Sequence, residues 1–124
     1  MLTLPPAEDR SVPIAIIAPV GRLDALTAPA LHDRCWELQR SGTNRIVIDL
    51  GAVDFMDSAG LAALVRALRA TRSAEGDVKL ASPTSSSVWR ILTLTRFDRV
   101  FDIAPTADEA VDRFLAPNAR RAGR

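Results

Sequence analysis

Apolar residues in this chain fall into short β-branched runs and longer runs with helical spacing. The short runs over residues 12–20, 45–50 and 77–81 predict strands. A further short strand is expected over residues 100–103, and an edge strand over residues 1–4. The run RIVIDL at 45–50 is almost wholly apolar, which is typical of a strand buried on both faces of a sheet.

Helical spacing of apolar residues predicts four helices between and after these strands. Thr27 is a candidate cap for the first helix, and Thr106 with Glu109 forms a capping-box pattern before the fourth. The third helix begins near Ser87. The second follows a tight connection over residues 51–57, and its apolar positions are Leu61, Leu64, Val65 and Leu68.

This order of elements predicts an α/β domain with a mostly parallel sheet, because strands alternate with helices along the chain. Gly21 and Asp24 mark a turn between the first strand and the first helix. The chain has 124 residues, enough for one domain with its own core. We expect that domain over residues 1–116, with its core at 12–115, followed by a basic, disordered tail over residues 117–124.

Composition narrows the classes of function. The formal net charge is +1 at pH 7, so the chain as a whole does not resemble a nucleic-acid binder. Cys35 is the only cysteine, which excludes an intramolecular disulfide and a thiolate metal cluster. There is no apolar run of membrane-spanning length and no pattern of a secretory signal. We therefore expect a cytoplasmic protein without membrane insertion.

The segment VIDLGAVDFMDSAGL carries the candidate chemistry. A buried strand runs into a short loop that delivers Asp57 and Ser58 to the start of a helix, where free backbone N–H groups and the helix dipole favour negative charge. A hydroxyl at this point can accept a phosphate, because the same donors stabilise the added charge. Local chemistry alone favours a structural interpretation over a phosphorylation site: Asp57 or Ser58 is the N-cap of the helix.

Gly60 stands in the first turn of this helix, where glycine costs roughly 1 kcal/mol relative to alanine. Such a cost indicates close approach of another group. That group is either a binding partner or a neighbouring segment of the same protein.

Three places in the chain resemble STAS domains of the anti-sigma factor antagonist type. The first is the turn GRLD with the following Thr27 and Ala28, which is similar to the family's G-x-L-D turn. The second is IDL followed by FMDSAGL, which resembles the family's strand, loop and D-S-x-G-L helix entry. The third is residues 88–101, similar to the closing helix and strand. The resemblance implies a STAS domain with a mixed sheet of four to five strands flanked by about four helices.

The resemblance also implies a function. Such antagonists bind an anti-sigma factor that has serine kinase activity and a fold of the histidine-kinase type, and this binding frees the sigma factor. The kinase then phosphorylates the serine after the motif's aspartate, here Ser58, and a phosphoserine phosphatase resets the switch. No enzymatic activity, cofactor or metal is expected of the antagonist. The residues implied in partner binding are Asp24, Thr27, Phe55, Met56, Asp57, Ala59, Gly60 and Leu61.

Electrostatics agrees with the direction of this switch. A phosphate adds about −1.5 to −2 charge at neutral pH. Asp24, Asp54 and Asp57 are expected to surround it, so phosphorylation would concentrate negative charge on the docking face and repel the partner.

Three positions depart from the family's pattern. Ala59 replaces a second serine, which leaves one hydroxyl in the motif. Arg22 stands where many relatives carry an acidic residue and so changes the charge beside Asp24. Arg96 and Phe97 replace a common Gly-Leu, so the third helix lacks a C-cap glycine and is expected to end irregularly.

Other functions fit the sequence less well. A hydrolase would pair Ser58 with His32 and Asp24, but Met56 occupies a position where a nucleophile elbow requires glycine. An alternative within the family is an unphosphorylated scaffold, or an accessory subunit of a stress-sensing or membrane transport complex. Trp36 and Trp89 are either partner anchors or partly buried helix residues.

Overall fold

The computed structural model describes residues 13–116. Its six strands are β1 Ile14–Ile17, β2 Gly21–Leu23, β3 Arg45–Asp49, β4 Val53–Met56, β5 Asp77–Ala81 and β6 Asp102–Ala104. Its helices are α1 Ala28–Arg40, α2 Ser58–Ser73, α3 Ser86–Leu94 and α4 Ala107–Leu115. The predicted α/β class and the four helices are confirmed. The expectations for residues 1–4, residue 12 and residues 117–124 lie outside the described residues.

Four of the strands form one sheet in the order β1-β3-β5-β6, and β2 pairs with β4 in a separate two-stranded sheet. All pairs among the described strands are parallel. The larger sheet has four strands, within the expected four to five, and the two-stranded sheet was not predicted. Strand β2 begins in the predicted turn at Gly21, and β4 lies within the predicted connection over residues 51–57.

Strand β3 is buried on both faces, as its apolar run predicted. Ile46 and Ile48 are fully buried in the larger part of the core, with the inward faces of α1 and α2. Val47 points the other way and packs with Ala110 and Phe114 of α4. The sheet therefore has α1 and α2 on one face and α4 on the other. No helix within residues 13–116 has the length and apolar character needed to cross a membrane.

Strand β1 ends at Ile17, earlier than the predicted residue 20. Pro19 has no N–H to extend the hydrogen-bond ladder. Gly21 then adopts φ +85°, a conformation that glycine takes without strain, and the chain turns into β2.

Strands β2 and β4 determine where the D-S-x-G-L motif lies. Their register pairs Leu23 with Met56, the last residue of each strand. Since the strands are parallel, the residues that follow them, Asp24 and Asp57, emerge at the same end of the small sheet. Asp57 also donates its N–H to the carbonyl of Leu23 at 3.4 Å. The two turns singled out in the sequence are thus neighbours in the fold.

Candidate functional site

Ser58 is the first residue of α2, and its side chain is not used to cap the helix. The cap is Asp57, whose backbone is extended and whose Oδ1 accepts hydrogen bonds from the N–H groups of Ala59 at 2.9 Å and Gly60 at 3.1 Å. Ser58 is exposed, and its hydroxyl forms no hydrogen bond with any residue in the described range. The structure therefore resolves the choice of cap in favour of Asp57 and leaves the serine hydroxyl accessible.

Gly60 is held against the end of β2. A Cβ at Gly60 would overlap the carbonyl oxygen of Leu23 and would lie 2.9 Å from its carbonyl carbon. Gly60 is buried, and Leu23 is only 1% exposed. Of the two explanations for this glycine, packing inside the protein is the one that the structure supports.

Asp24 closes the turn between β2 and α1. Its Oδ1 accepts from the N–H groups of Leu26 at 3.0 Å and Thr27 at 3.3 Å, and its Oδ2 accepts from Arg22 Nε at 3.1 Å. The hydrogen bond from Arg22 is the main cause that lowers the pKa of Asp24, with the backbone donors adding to it. This carboxylate is therefore held ionised beside the start of α2.

Thr27 occupies the N-cap position of α1, as predicted, but its side chain does not cap the helix. The hydroxyl donates to the carbonyl of Arg22 at 2.8 Å and accepts from the N–H of Asp24 at 2.9 Å. The expected capping role is therefore wrong. The hydroxyl instead fixes the β2–α1 turn, because Arg22 and Asp24 offer it both an acceptor and a donor there.

Arg22 joins two of the predicted site residues. Its guanidinium carbon lies 4.0 Å from the ring centroid of Phe55, a cation–π contact, while its Nε bonds to Asp24. The Arg22 side chain is 61% exposed. In the sequence, Arg22 stands out only as a departure from the family's pattern, and it is not among the predicted site residues. The contact with Phe55 depends on the pairing of β2 with β4, which was not predicted.

The predicted partner-binding residues divide by burial. Asp24, Phe55, Asp57 and Ala59 are partly exposed, and Thr27 is exposed like Ser58. The three other predicted residues are buried and support the exposed ones from below. They are Met56, Gly60 and Leu61.

Asp54 was expected near the phosphate. It is exposed on β4, and its backbone carbonyl accepts from the hydroxyls of Ser85 and Ser87, each at 3.4 Å. These bonds tie β4 to the beginning of α3, so the segment before Ser58 is anchored on this side as well.

The side chains needed for a hydrolytic triad have other partners. His32 Nδ1 lies 3.4 Å from Asp33 Oδ1, and the Asp24 carboxylate bonds to Arg22. Burial raises the pKa of the Cys35 thiol to about 11, so it is not a nucleophile at neutral pH. Residues 13–116 contain no group of three His, Cys, Asp or Glu side chains arranged to hold a metal ion. Ser58 thus offers an exposed hydroxyl with no hydrogen-bond partner among residues 13–116.

Comparison with known proteins gives consistent results. The sequence profile of the STAS domain matches residues 6–110. A Thermotoga maritima protein described as a candidate anti-sigma factor antagonist is 36% identical over 76 residues, which cover 61% of this chain and 66% of that one, slightly under two thirds of its length. The anti-sigma-F factor antagonist RsfB of Mycobacterium tuberculosis is 32% identical over 100 residues, 79% of each chain.

Solved structures share the fold. The crystal structure of a candidate anti-sigma factor antagonist from Thermotoga maritima aligns with a TM-score of 0.71 and 31% identity, over 79% of this chain and 84% of that one. The Bacillus cell fate determinant SpoIIAA in its phosphorylated form aligns with a TM-score of 0.63 over 80% of this chain and 88% of that one. Its identity is 22%, so this second likeness concerns the fold alone.

Proposed function

The chain belongs to the STAS domain family and, within it, to the anti-sigma factor antagonists, and from this premise we propose that phosphorylation of Ser58 controls its binding to an anti-sigma factor. Unmodified, the chain binds an anti-sigma factor that has serine kinase activity. That kinase phosphorylates Ser58 and is released, and a phosphoserine phosphatase restores the binding form. The protein acts in the cytoplasm as a binding switch for sigma-dependent transcription and not as an enzyme.

The observation that carries this proposal is the state of the Ser58 hydroxyl. It is exposed at the first position of α2, and Asp57 performs the capping that a serine could otherwise perform. The hydroxyl can therefore enter a kinase active site without loss of a structural hydrogen bond. The N–H of Ser58 itself is among the first helical donors, which have no partner within the helix.

Phosphorylation here would leave the fold intact and change the surface. A phosphate at the first residue of a helix is stabilised by the helix dipole and by nearby backbone donors. It would add about −1.5 to −2 charge next to the carboxylate of Asp57. Asp24 lies on the neighbouring turn and is held ionised. A partner that accepts one small hydroxyl would then meet concentrated negative charge.

Release of the partner requires only a small loss of binding free energy. Each ~1.4 kcal/mol of lost binding free energy weakens an affinity tenfold. Loss of a hydrogen bond to the hydroxyl, together with repulsion from a phosphate, is sufficient for a hundredfold change. The existence of an unphosphorylated and a phosphorylated form of SpoIIAA supports the idea that this fold accommodates such a modification.

Two substitutions test the switch. Each variant is incubated with purified anti-sigma factors of the histidine-kinase type from the same organism. Ser58→Ala should capture its anti-sigma factor persistently, since it cannot be phosphorylated. Ser58→Asp should capture little while remaining folded. The control is Ser86→Asp, which places the same change at the first residue of α3 and should bind like the wild type.

Equal capture by Ser58→Ala and Ser58→Asp would overturn the phosphorylation switch. It would favour the alternative in which the same domain serves as a scaffold, or as an accessory subunit of a transport complex, without modification of Ser58.

A further inference from the structure

A groove between α1 and α2 begins at Ala59, the residue that follows Ser58. Its first part, about 460 Å³, is lined by residues at the start of both helices, including Ala59 and Ala62. Its second part, about 390 Å³, continues toward Trp36 and Arg69. His32 and Arg66 line both parts. These two cavities form one surface, which we name the α1–α2 groove.

Small side chains on α2 keep this groove open. Alanines recur along the wall that α2 contributes, at Ala59, Ala62, Ala63, Ala67 and Ala70. On the opposite wall, Trp36 is 54% exposed. The half-exposed Trp36 and the alanines opposite it form an apolar strip that no other part of residues 13–116 covers. Tryptophan is enriched where partner proteins bind.

The charge of the groove has one sign. Among residues 13–116 no carboxylate lines either part, whereas Arg66 and Arg69 line its α2 wall. Neither arginine forms an ion pair with another described residue, in contrast to Arg72 one turn further on, whose Nε bonds to Asp77 at 3.2 Å. The sequence of α2 contains no acidic residue to neutralise them. The groove is therefore apolar between Trp36 and the alanines, and the arginines make its α2 wall positively charged.

We propose that the α1–α2 groove binds an acidic amphipathic helix of the anti-sigma factor, as a continuation of the contact at Ser58. The apolar face of that helix packs on Trp36 and the alanines, and its Glu or Asp side chains pair with Arg66 and Arg69. Arg66 lies eight residues after Ser58, about 12 Å along the helix axis at 1.5 Å per residue. One partner segment can thus span both places. This inference rests on the proposed function for the identity of the partner.

The Ser58 end and the arginine end of this surface differ in charge and therefore have different roles in binding. The Ser58 end carries the side chains of Asp24 and Asp57 and changes its charge on phosphorylation. The arginine end keeps its charge in both states. The groove therefore supplies affinity and partner selection, while Ser58 supplies the switch.

The test reverses the charge of the groove in the full chain. Arg66→Glu/Arg69→Glu, prepared in the Ser58→Ala background, is titrated with the anti-sigma factor that Ser58→Ala captures. The matched control is Arg90→Glu/Arg99→Glu, which changes the net charge equally at exposed arginines of α3 and the turn after it. Arg66→Gln/Arg69→Gln and Trp36→Ala remove charge and apolar contact separately. Thermal unfolding verifies that each variant is folded.

The proposal predicts that groove reversal weakens binding about 100-fold, about tenfold for each reversed contact, while the control changes it less than threefold. Replacement of acidic residues by lysine in the partner helix should recover binding to the reversed groove. Unchanged affinity of the folded Arg66→Glu/Arg69→Glu variant would overturn the groove proposal and leave the Ser58 switch intact. If Ser58→Ala captures no anti-sigma factor, the proposed function and the groove proposal both fail.

Discussion

Gly60 in the first turn of α2 packs directly against the backbone carbonyl of Leu23, the last residue of β2. The space between them does not admit a Cβ, since the nearest atoms are backbone and not a movable side chain. This contact fixes the start of α2 to the end of β2. It therefore holds Ser58 beside the turn that contains Asp24.

Gly60→Ala should destabilise the protein even though alanine favours helices. The added methyl group would force α2 away from β2, and overpacking of this kind costs about 1–3 kcal/mol. Urea unfolding measures the loss. The control is Gly51→Ala, whose Cβ would meet only the side chain of Asp49, with its nearest atom at 3.0 Å; it should cost less. A Gly60→Ala variant more stable than the wild type would contradict the packing.

Asp57→Ala should weaken the start of α2. The substitution removes the acceptor for two backbone N–H groups, and loss of an N-cap costs about 1 kcal/mol. Asp57→Asn keeps an acceptor oxygen and should retain most of the stability. The comparison is made by thermal unfolding, with Ser58→Ala as the neighbouring control, expected to unfold like the wild type because its hydroxyl has no described partner. Equal loss in Asp57→Ala and Ser58→Ala would show that the cap is misassigned.

Arg96→Gly should stabilise the protein. Arg96 follows α3 with φ 63°, a left-handed conformation that costs a non-glycine residue about 1–2 kcal/mol. Glycine removes that cost but makes the unfolded chain more flexible, so the expected net gain is about 0.5–1 kcal/mol. Arg90→Gly, in the interior of α3, should instead destabilise by roughly 1 kcal/mol. A lower melting temperature for Arg96→Gly would contradict the strain.

Acid should weaken the ion-pair network around Asp102, the first residue of β6. Burial opposes ionisation of Asp102, but Lys79 at 3.0 Å and Arg113 outweigh it, so the pKa of Asp102 lies below its ordinary value of 3.8. A carboxylate with a lowered folded-state pKa contributes stability above its unfolded pKa and loses it as pH falls through the folded value.

The free energy of unfolding, measured by urea titration from about pH 6 to pH 2, should therefore fall in this acid range. Asp102→Asn should be less stable than the wild type at neutral pH, and the difference should shrink as the pH falls. A difference that stays constant with pH would show that the carboxylate charge does not contribute.

The sequence predicts the parts of this fold that have long or strongly apolar patterns. Helix α2 is buried on one face, so its apolar residues recur at helical spacing. Strand β3 is buried on both faces, so its apolar residues form a continuous run. At the missing C-cap glycine the outcome differs from the expected irregular end: Arg96 itself takes the left-handed conformation that glycine usually takes after a helix, and a 3₁₀ turn follows at Phe97–Arg99.

The short strands β2 and β4 could not be predicted in the same way. They have three and four residues, too few for alternation to be visible, and their pairing depends on contacts between distant segments. The same limit applies to the site. Ser58 could be chosen from its motif, but the bridge that Arg22 makes between Asp24 and Phe55 requires the two strands to lie side by side.

The phosphorylation switch is tested by the affinity of the anti-sigma factor for the chain with and without phosphate on Ser58. Trypsin releases residues 46–66, in which Ser58 is the only residue with a hydroxyl side chain, so mass spectrometry verifies the modified site without further mapping. We expect the phosphorylated chain to remain folded and to bind at least 100-fold more weakly, the equivalent of about 2.7 kcal/mol. Equal affinities of the two forms would contradict the switch.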